Sequence, residues 1–341
     1  MIFVFDLEGP LSPMDHAADC MKLIGENLGR DDFFDLFGML SLYDDELTLE
    51  GKPGYNPGDT LRLIAPIVST HLSREEMIGI SETATLTPGA KDLMARLDLD
   101  NVYVASTSYS EHAHTIARRL GIYPENVNCT KLPDFKSFPY MEDLENIFAK
   151  YKDTGSEISA VKADLDSFFW SRLPSEYLTT KVCGGARKLD VVKRLVEERR
   201  EPSSNFVCVG DSITDINMLE GVAEAGGLAI SFNGNGYSAP VANLCVSSKS
   251  LMAIYPLVEA DDPWKIVSDW REIQDRLKLL TPKTREYFRD KGILPSYDEV
   301  RKSYLTGAYP KEEVRKSYLC EVVVRQKTAR KEMRKQYGDL T

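Results

Sequence analysis

The stretch MIFVFDLEGPLSP (residues 1–13) runs four apolar residues, Ile2 to Phe5, straight into Asp6 and Glu8. Such a run suits a short buried strand, and a strand places residues two apart on one face, so both carboxylates would point the same way if it continued. An acidic pair at a strand end is by itself an ordinary way for a strand to meet water. Its meaning depends on what the rest of the chain supplies.

Short apolar runs recur at IFVF (2–5), VYVA (102–105), FVCV (206–209), GLAI (227–230) and LCV (244–246). Helical patterns separate most of them. In KLDVVKRLVEERR the apolar residues Leu189, Val191, Val192, Leu195 and Val196 fall at helical spacing. Strands alternating with helices predict an α/β fold with a parallel sheet covered on both faces. In such sheets ligands bind beyond the carboxyl ends of the strands, where the acids lie.

Two intervals are too long for plain alternation. Residues 13–90 read as mainly helical, with an acidic and Gly/Pro-rich middle (YDDELTLEGKPGYNPGD), and residues 132–182 read as mixed helix and strand. Loops of that length without structure of their own are uncommon, so both are expected to be inserted cap domains. The expected core is then discontinuous, formed by 1–12, 91–131 and 183–258, with a charged helical C-terminal extension over 259–341. The extension carries EVRKSYL twice, at 299–305 and 313–319. Two similar amphipathic helices packing on the body explain that echo, and a partner-binding element is the alternative.

Composition narrows the function. Across 341 residues, 43% are apolar and 28% charged, which fits a globular chain with a sizeable core. A net charge of −11 counts against a general nucleic-acid or anionic-membrane binder. It does not count against a phosphorylated substrate, because a metal ion can neutralise one site locally. No apolar run approaches the ~18 residues of a membrane span, and no basic segment precedes the first apolar run as in a secretory signal. The six cysteines (Cys20, Cys129, Cys183, Cys208, Cys245 and Cys320) are scattered, which predicts reduced core thiols in a cytoplasmic protein. His112 and His114 lie two apart, so a helix would turn them to different faces and a histidine metal site is not expected.

Polar residues collect at the predicted strand ends. The third major strand ends in FVCVGDSITDINML, placing Asp211 and Asp215 four apart just after Gly210. The second ends in VYVASTSYS, with Ser106, Thr107 and Ser108 at the matching edge. Before the third strand, GGARKLDVVKRL puts Lys188 at the start of a helix. Taken singly, these read as a helix N-cap, a strand-to-helix cap and a surface lysine.

In order, however, Asp6-x-Glu8, Ser106, Lys188 and Gly210-Asp211-x-x-x-Asp215 resemble the four motifs of the haloacid dehalogenase-like (HAD) hydrolase superfamily. STSYSEHAHTIARRLGI and VCVGDSITDINMLEGVAEAGGLAI are similar to segments of its phosphoserine phosphatase-like branch, with Thr107 and Ser108 in place of two frequent glycines. The overall pattern also resembles a poorly characterised archaeal group that includes proteins associated with energy-converting hydrogenases. The resemblance implies a HAD-type Rossmann-like sheet with inserted caps and a Mg²⁺-dependent phosphatase acting on a small phosphorylated metabolite. Asp6 would be the nucleophile, forming an aspartyl-phosphate, and Glu8 the general acid and base. Metal ligands would be the Asp6 carboxylate, the Glu8 backbone carbonyl and Asp211, with Asp215 in support. Ser106 and Thr107 would meet the phosphoryl group, and Lys188 would balance the clustered charge. Asp15 matches only in position an acid that phosphoserine-specific enzymes use for the substrate's amino group.

Two residues depart from the family pattern. Glu8 stands where a second aspartate is frequent, and Pro10 where Thr or Val is usual. The alternatives carried forward are a small-molecule phosphotransferase and a HAD-like interaction subunit with little turnover, whose contacts, with itself or another protein, run through the C-terminal extension.

Overall fold

The computed structural model describes residues 1–259 and 312–335, with side chains of 322–334 in the second stretch. The first EVRKSYL copy and residues 260–311 lie outside the described residues. The second copy falls within a helix.

Six strands, β1 (Ile2–Phe5), β2 (Val102–Tyr109), β3 (Val127–Thr130), β4 (Phe206–Gly210), β5 (Leu228–Phe232) and β6 (Leu244–Val246), form one sheet in the order β3-β2-β1-β4-β5-β6. Every pairing is parallel, with Val4 opposite Tyr103 on one side and Cys208 on the other. The order reverses between β1 and β4, which opens the crevice where α/β sheets place ligands. The fold is thus the expected α/β, Rossmann-like sheet. Strand β2 extends further than the VYVA run implies, through the polar Ser106–Ser108 to Tyr109, with an irregularity between Ala105 and Tyr109.

Side-chain alternation builds the two faces. Phe3, Phe5, Val104, Val207, Val209 and Ile230 face one apolar cluster, while Ile2, Val4, Tyr103, Ala105, Phe206 and Cys208 face another. Strands buried on both faces explain why the sequence shows continuous apolar runs and not alternation.

Between β1 and β2 the chain forms α1 (His16–Leu28), α2 (Phe33–Leu49), α3 (Leu61–His71), α4 (Arg74–Thr83) and the short α5 (Ala90–Met94). Helix α6 (Ser110–Leu120) follows β2. After β3 come α7 (Met141–Asp153) and α8 (Lys162–Ser167), continued by a wide turn over Phe168–Arg172, and 132–182 contain no strand where mixed helix and strand was expected. Side chains from both intervals share one apolar cluster, including Met21, Ile24, Leu40, Val68, Phe148 and Phe168. The remaining helices are α9 (Ala186–Arg199), α10 (Ile216–Glu224), α11 (Ser238–Val241), α12 (Tyr255–Val258) and α13 (Glu312–Lys335). Among the described residues, no helix is long and apolar enough to cross a membrane, and Cys20, Cys129, Cys183, Cys208 and Cys245 are free thiols.

Two buried histidines join the first helical interval to α6. His16 and His112 stack with centroids 4.5 Å apart, and His112 Nδ1 lies 3.1 Å from the Ser81 hydroxyl. Burial lowers His16 to about 4, and burial followed by the His16 charge drives His112 well down. Each ring is neutral when folded and takes up a proton on unfolding. Stability is therefore full above the ordinary pKa of 6.5 and falls as pH drops toward about 4. The expected outcome for His112→Phe is a pH dependence of unfolding free energy shallower by about 1.4 kcal/mol per pH unit over the acid limb. Urea melts across that range check it, and identical slopes for the two proteins would contradict it.

Candidate active site

The crevice between β1 and β4 gathers the acids. Asp6 leaves the end of β1, its backbone N–H donating to the Val209 carbonyl at 2.8 Å, and its Oδ1 accepts from Leu7 N–H at 2.7 Å. Asp211 follows Gly210 at the end of β4. Asp215 turns back on that corner, where Oδ2 accepts from the Asp211 and Ser212 N–H groups at 2.9 and 3.0 Å. Oxygens of Asp6, Asp211 and Asp215 lie within 4.8 Å of one another, and all three residues are buried.

Close backbone approach makes this possible. Gly9 adopts φ +100°, and a Cβ there would stand 2.2 Å from Asp211 Oδ2. A Cβ on Gly210 would meet the Asp215 carboxyl carbon at 2.5 Å.

Lys188, in the first turn of α9, is the counter-charge. Its ammonium lies 2.8 Å from Asp6 Oδ1 and 2.7 Å from Asp215 Oδ1, with both Lys188 and Asp215 at 0% side-chain exposure. Burial works against its charge, yet Asp215 and Asp6 hold Lys188 above its ordinary range. Burial first, and Asp215 next, push Asp6 well up while Lys188 pulls it down. Asp211 is raised mainly by burial, with Arg330 opposing. Glu8 accepts from His16 N–H at 2.9 Å and is pushed up to about 8, by burial and then by the Asp15 charge.

These groups floor a cavity of about 420 Å³. Of the sequence-predicted residues, Asp6, Glu8, Asp15, Thr107 and Asp211 line it. Ser106 does not; it is fully buried beneath, its Oγ accepting from Ser108 N–H at 3.1 Å. Lys188 and Asp215 stand behind the floor. Asp15 also caps α1, accepting from Ala18 N–H at 3.1 Å, so one carboxylate both caps the helix and lines the cavity. His112 packs on His16 and takes no part in the acidic cluster.

The sequence reading missed the wall supplied by α13. Arg330 Nη2 stands 2.6 Å from Asp211 Oδ2, an ion pair in which that oxygen accepts no hydrogen bond of good geometry. Arg334 is held below its ordinary range by burial and by the Arg330 charge, with Asp211, Asp15 and Glu8 opposing. The available signal was the four-residue spacing of Arg330 and Arg334, which sets both on one helix face.

The donor set fits a hard divalent cation. Three clustered carboxylates offer only oxygen, as Mg²⁺ prefers, and Asp211 Oδ2 is a buried carboxylate oxygen with no hydrogen bond among the described residues.

The chain is similar in structure to gene product AF1437 from Archaeoglobus fulgidus, at 24% identity over 97% of this chain and 96% of that one, with a TM-score of 0.68. That likeness establishes a shared fold. A substrate-bound phosphoserine phosphatase (16% identity, 74% of this chain and 96% of that one, TM-score 0.49) and a beta-phosphoglucomutase from Clostridium difficile (17%, 76% and 96%, TM-score 0.35) resemble it too slightly to bear on fold or chemistry. No protein-family model matches the chain, and no curated protein does.

Removing Lys188 would leave two buried carboxylates facing each other without a counter-charge. Lys188→Met in the presence of a chelator is expected to cost about 3–5 kcal/mol of stability. Chemical denaturation measures it, and a loss below about 1 kcal/mol would show that the lysine carries little of the cluster's charge.

Proposed function

We propose that the chain is a Mg²⁺-dependent phosphatase of the HAD-like type, hydrolysing a small phosphomonoester through an aspartyl-phosphate on Asp6. The observation that carries this reading is the Lys188 ammonium bridging Asp6 and Asp215, beside Asp211, at the strand-order reversal. That placement joins the residues on which the sequence resemblance rests.

The Asp6 carboxylate, the Glu8 carbonyl and Asp211 would hold Mg²⁺, with Asp215 fastening the corner. When bound, the ion offsets repulsion between nucleophile and phosphate dianion and polarises a phosphoryl oxygen. The chain's own residues do the rest. Lys188 lowers the cost of ionising buried Asp6, and an Asp6 oxygen attacks phosphorus as the bond to the leaving oxygen breaks. Glu8, with a pKa near 8, carries a proton at neutral pH and gives it to that oxygen. The resulting Glu8 carboxylate then takes a proton from water, whose oxygen attacks phosphorus and releases Asp6. Thr107 at the cavity wall would meet a phosphoryl oxygen, and Ser106, buried beneath, accepts from Ser108 N–H and would fix that end of β2. We read 13–90 and 132–182 as caps over the strand ends, which restrict the site to small substrates and exclude water.

The test is phosphate release from a broad panel of phosphomonoesters with Mg²⁺, comparing wild type with Asp6→Asn. The substitution is expected to abolish turnover with the fold intact, and surviving wild-type activity would remove Asp6 as nucleophile. Added small alcohols, with product analysis, separate hydrolysis from transfer.

A further inference from the structure

The wall facing the acidic floor comes from the far end of the chain. Lys327, Arg330 and Arg334 of α13 line the cavity with Asp6, Glu8 and Asp211, and among the described residues no other cationic side chain does. Lys188 cannot serve an incoming anion as it stands. Its ammonium lies 2.8, 2.7 and 3.4 Å from Asp6, Asp215 and Thr214, which engages all three donors. A phosphate dianion entering a cavity of carboxylates is repelled unless other cations meet it there.

We propose that Arg330 and Arg334 form the anion seat of this site, holding a phosphate dianion between α13 and the carboxyl ends of the strands. Both Nε–H groups are buried without a hydrogen-bond partner among the described residues. A guanidinium presents its donors as a planar fork that matches phosphate oxygens, and such charge-assisted bonds are the strong ones. Arg330 Nη2 pairs with Asp211 at 2.6 Å, and its buried Nε–H is left without a hydrogen-bond partner among the described residues. A cation on Asp211 would claim the same oxygen, and an arriving dianion offers the arginine another partner.

The helix is held in place for this task. Gln326 Nε2 donates to the Ser231 carbonyl at 2.6 Å, Met333 is buried against Asn233, and Val322 packs with Ala239 and Cys245. Gln326, Arg330 and Arg334 follow at four-residue steps, so the anchor and the seat share a face.

The seat deepens the phosphatase reading and takes its ligand from it. Titration calorimetry of inorganic phosphate into the full chain with Mg²⁺ tests the seat without turnover. Arg330→Gln and Arg334→Gln are each expected to weaken binding about tenfold, and the double variant about a hundredfold. Lysine at both positions keeps the charge, loses the fork and weakens binding less. Glu332→Gln, which breaks the pair with Lys249 outside the cavity, leaves affinity unchanged. A double glutamine variant binding within about twofold of wild type overturns the seat, as does wild-type protein that binds no phosphate. If the glutamine variants release the helix, seen as lost hydrogen-exchange protection over 322–334, the lysine pair decides. Weaker binding with the helix docked supports the seat, and unchanged affinity overturns it. The two readings fail separately, because full turnover by Asp6→Asn removes the nucleophile while phosphate titration stands on its own.

Discussion

One lysine holds the centre together. Asp6 and Asp215 reach the same buried corner from different strands, and without the Lys188 ammonium between them their charges would oppose folding. The same contact bears on the chemistry, since Lys188 opposes the burial and the Asp215 charge that together push the Asp6 carboxyl well up. Buried ion pairs add little net stability when compared with apolar packing. This one is better understood as fixing the position of Asp6 against Asp215.

The parallel sheet explains why the acids converge. Reversal of strand order between β1 and β4 opens a crevice that helices cannot fill, and the first residues beyond both strands face it. Gly9 and Gly210 let the two corners approach to distances that a side chain would forbid. Asp215 then ties the β4 corner by accepting from two backbone N–H groups. Geometry and charge therefore depend on each other: the glycines bring the carboxylates close, and the lysine makes closeness tolerable.

Much of this was legible in the sequence because the signals are local. Apolar runs ending at Asp6 and Asp211, and Lys188 at a helix start, fix residue type and strand end together. Ser106 was legible in place but not in exposure, because β2 continues through it to Tyr109 and buries its hydroxyl. The shared core of 13–90 and 132–182 was not legible, since amphipathic patterns show that a face is apolar without naming its partner. Arg330 was hidden for the same reason. Its pairing with Asp211 is a long-range contact, and a charged helix near the chain's end reads as a solvated one until the fold brings it across the cavity.

In the proposed reaction Asp6 carries a covalent phosphoryl group during turnover. Rapid acid quench of the wild-type protein with Mg²⁺ and a hydrolysed phosphomonoester, followed by peptide mass spectrometry, tests it most directly. A hydroxylamine-labile phosphoryl adduct is expected on the peptide containing Asp6. Turnover with no adduct on that peptide, or with the adduct on another residue, would contradict it.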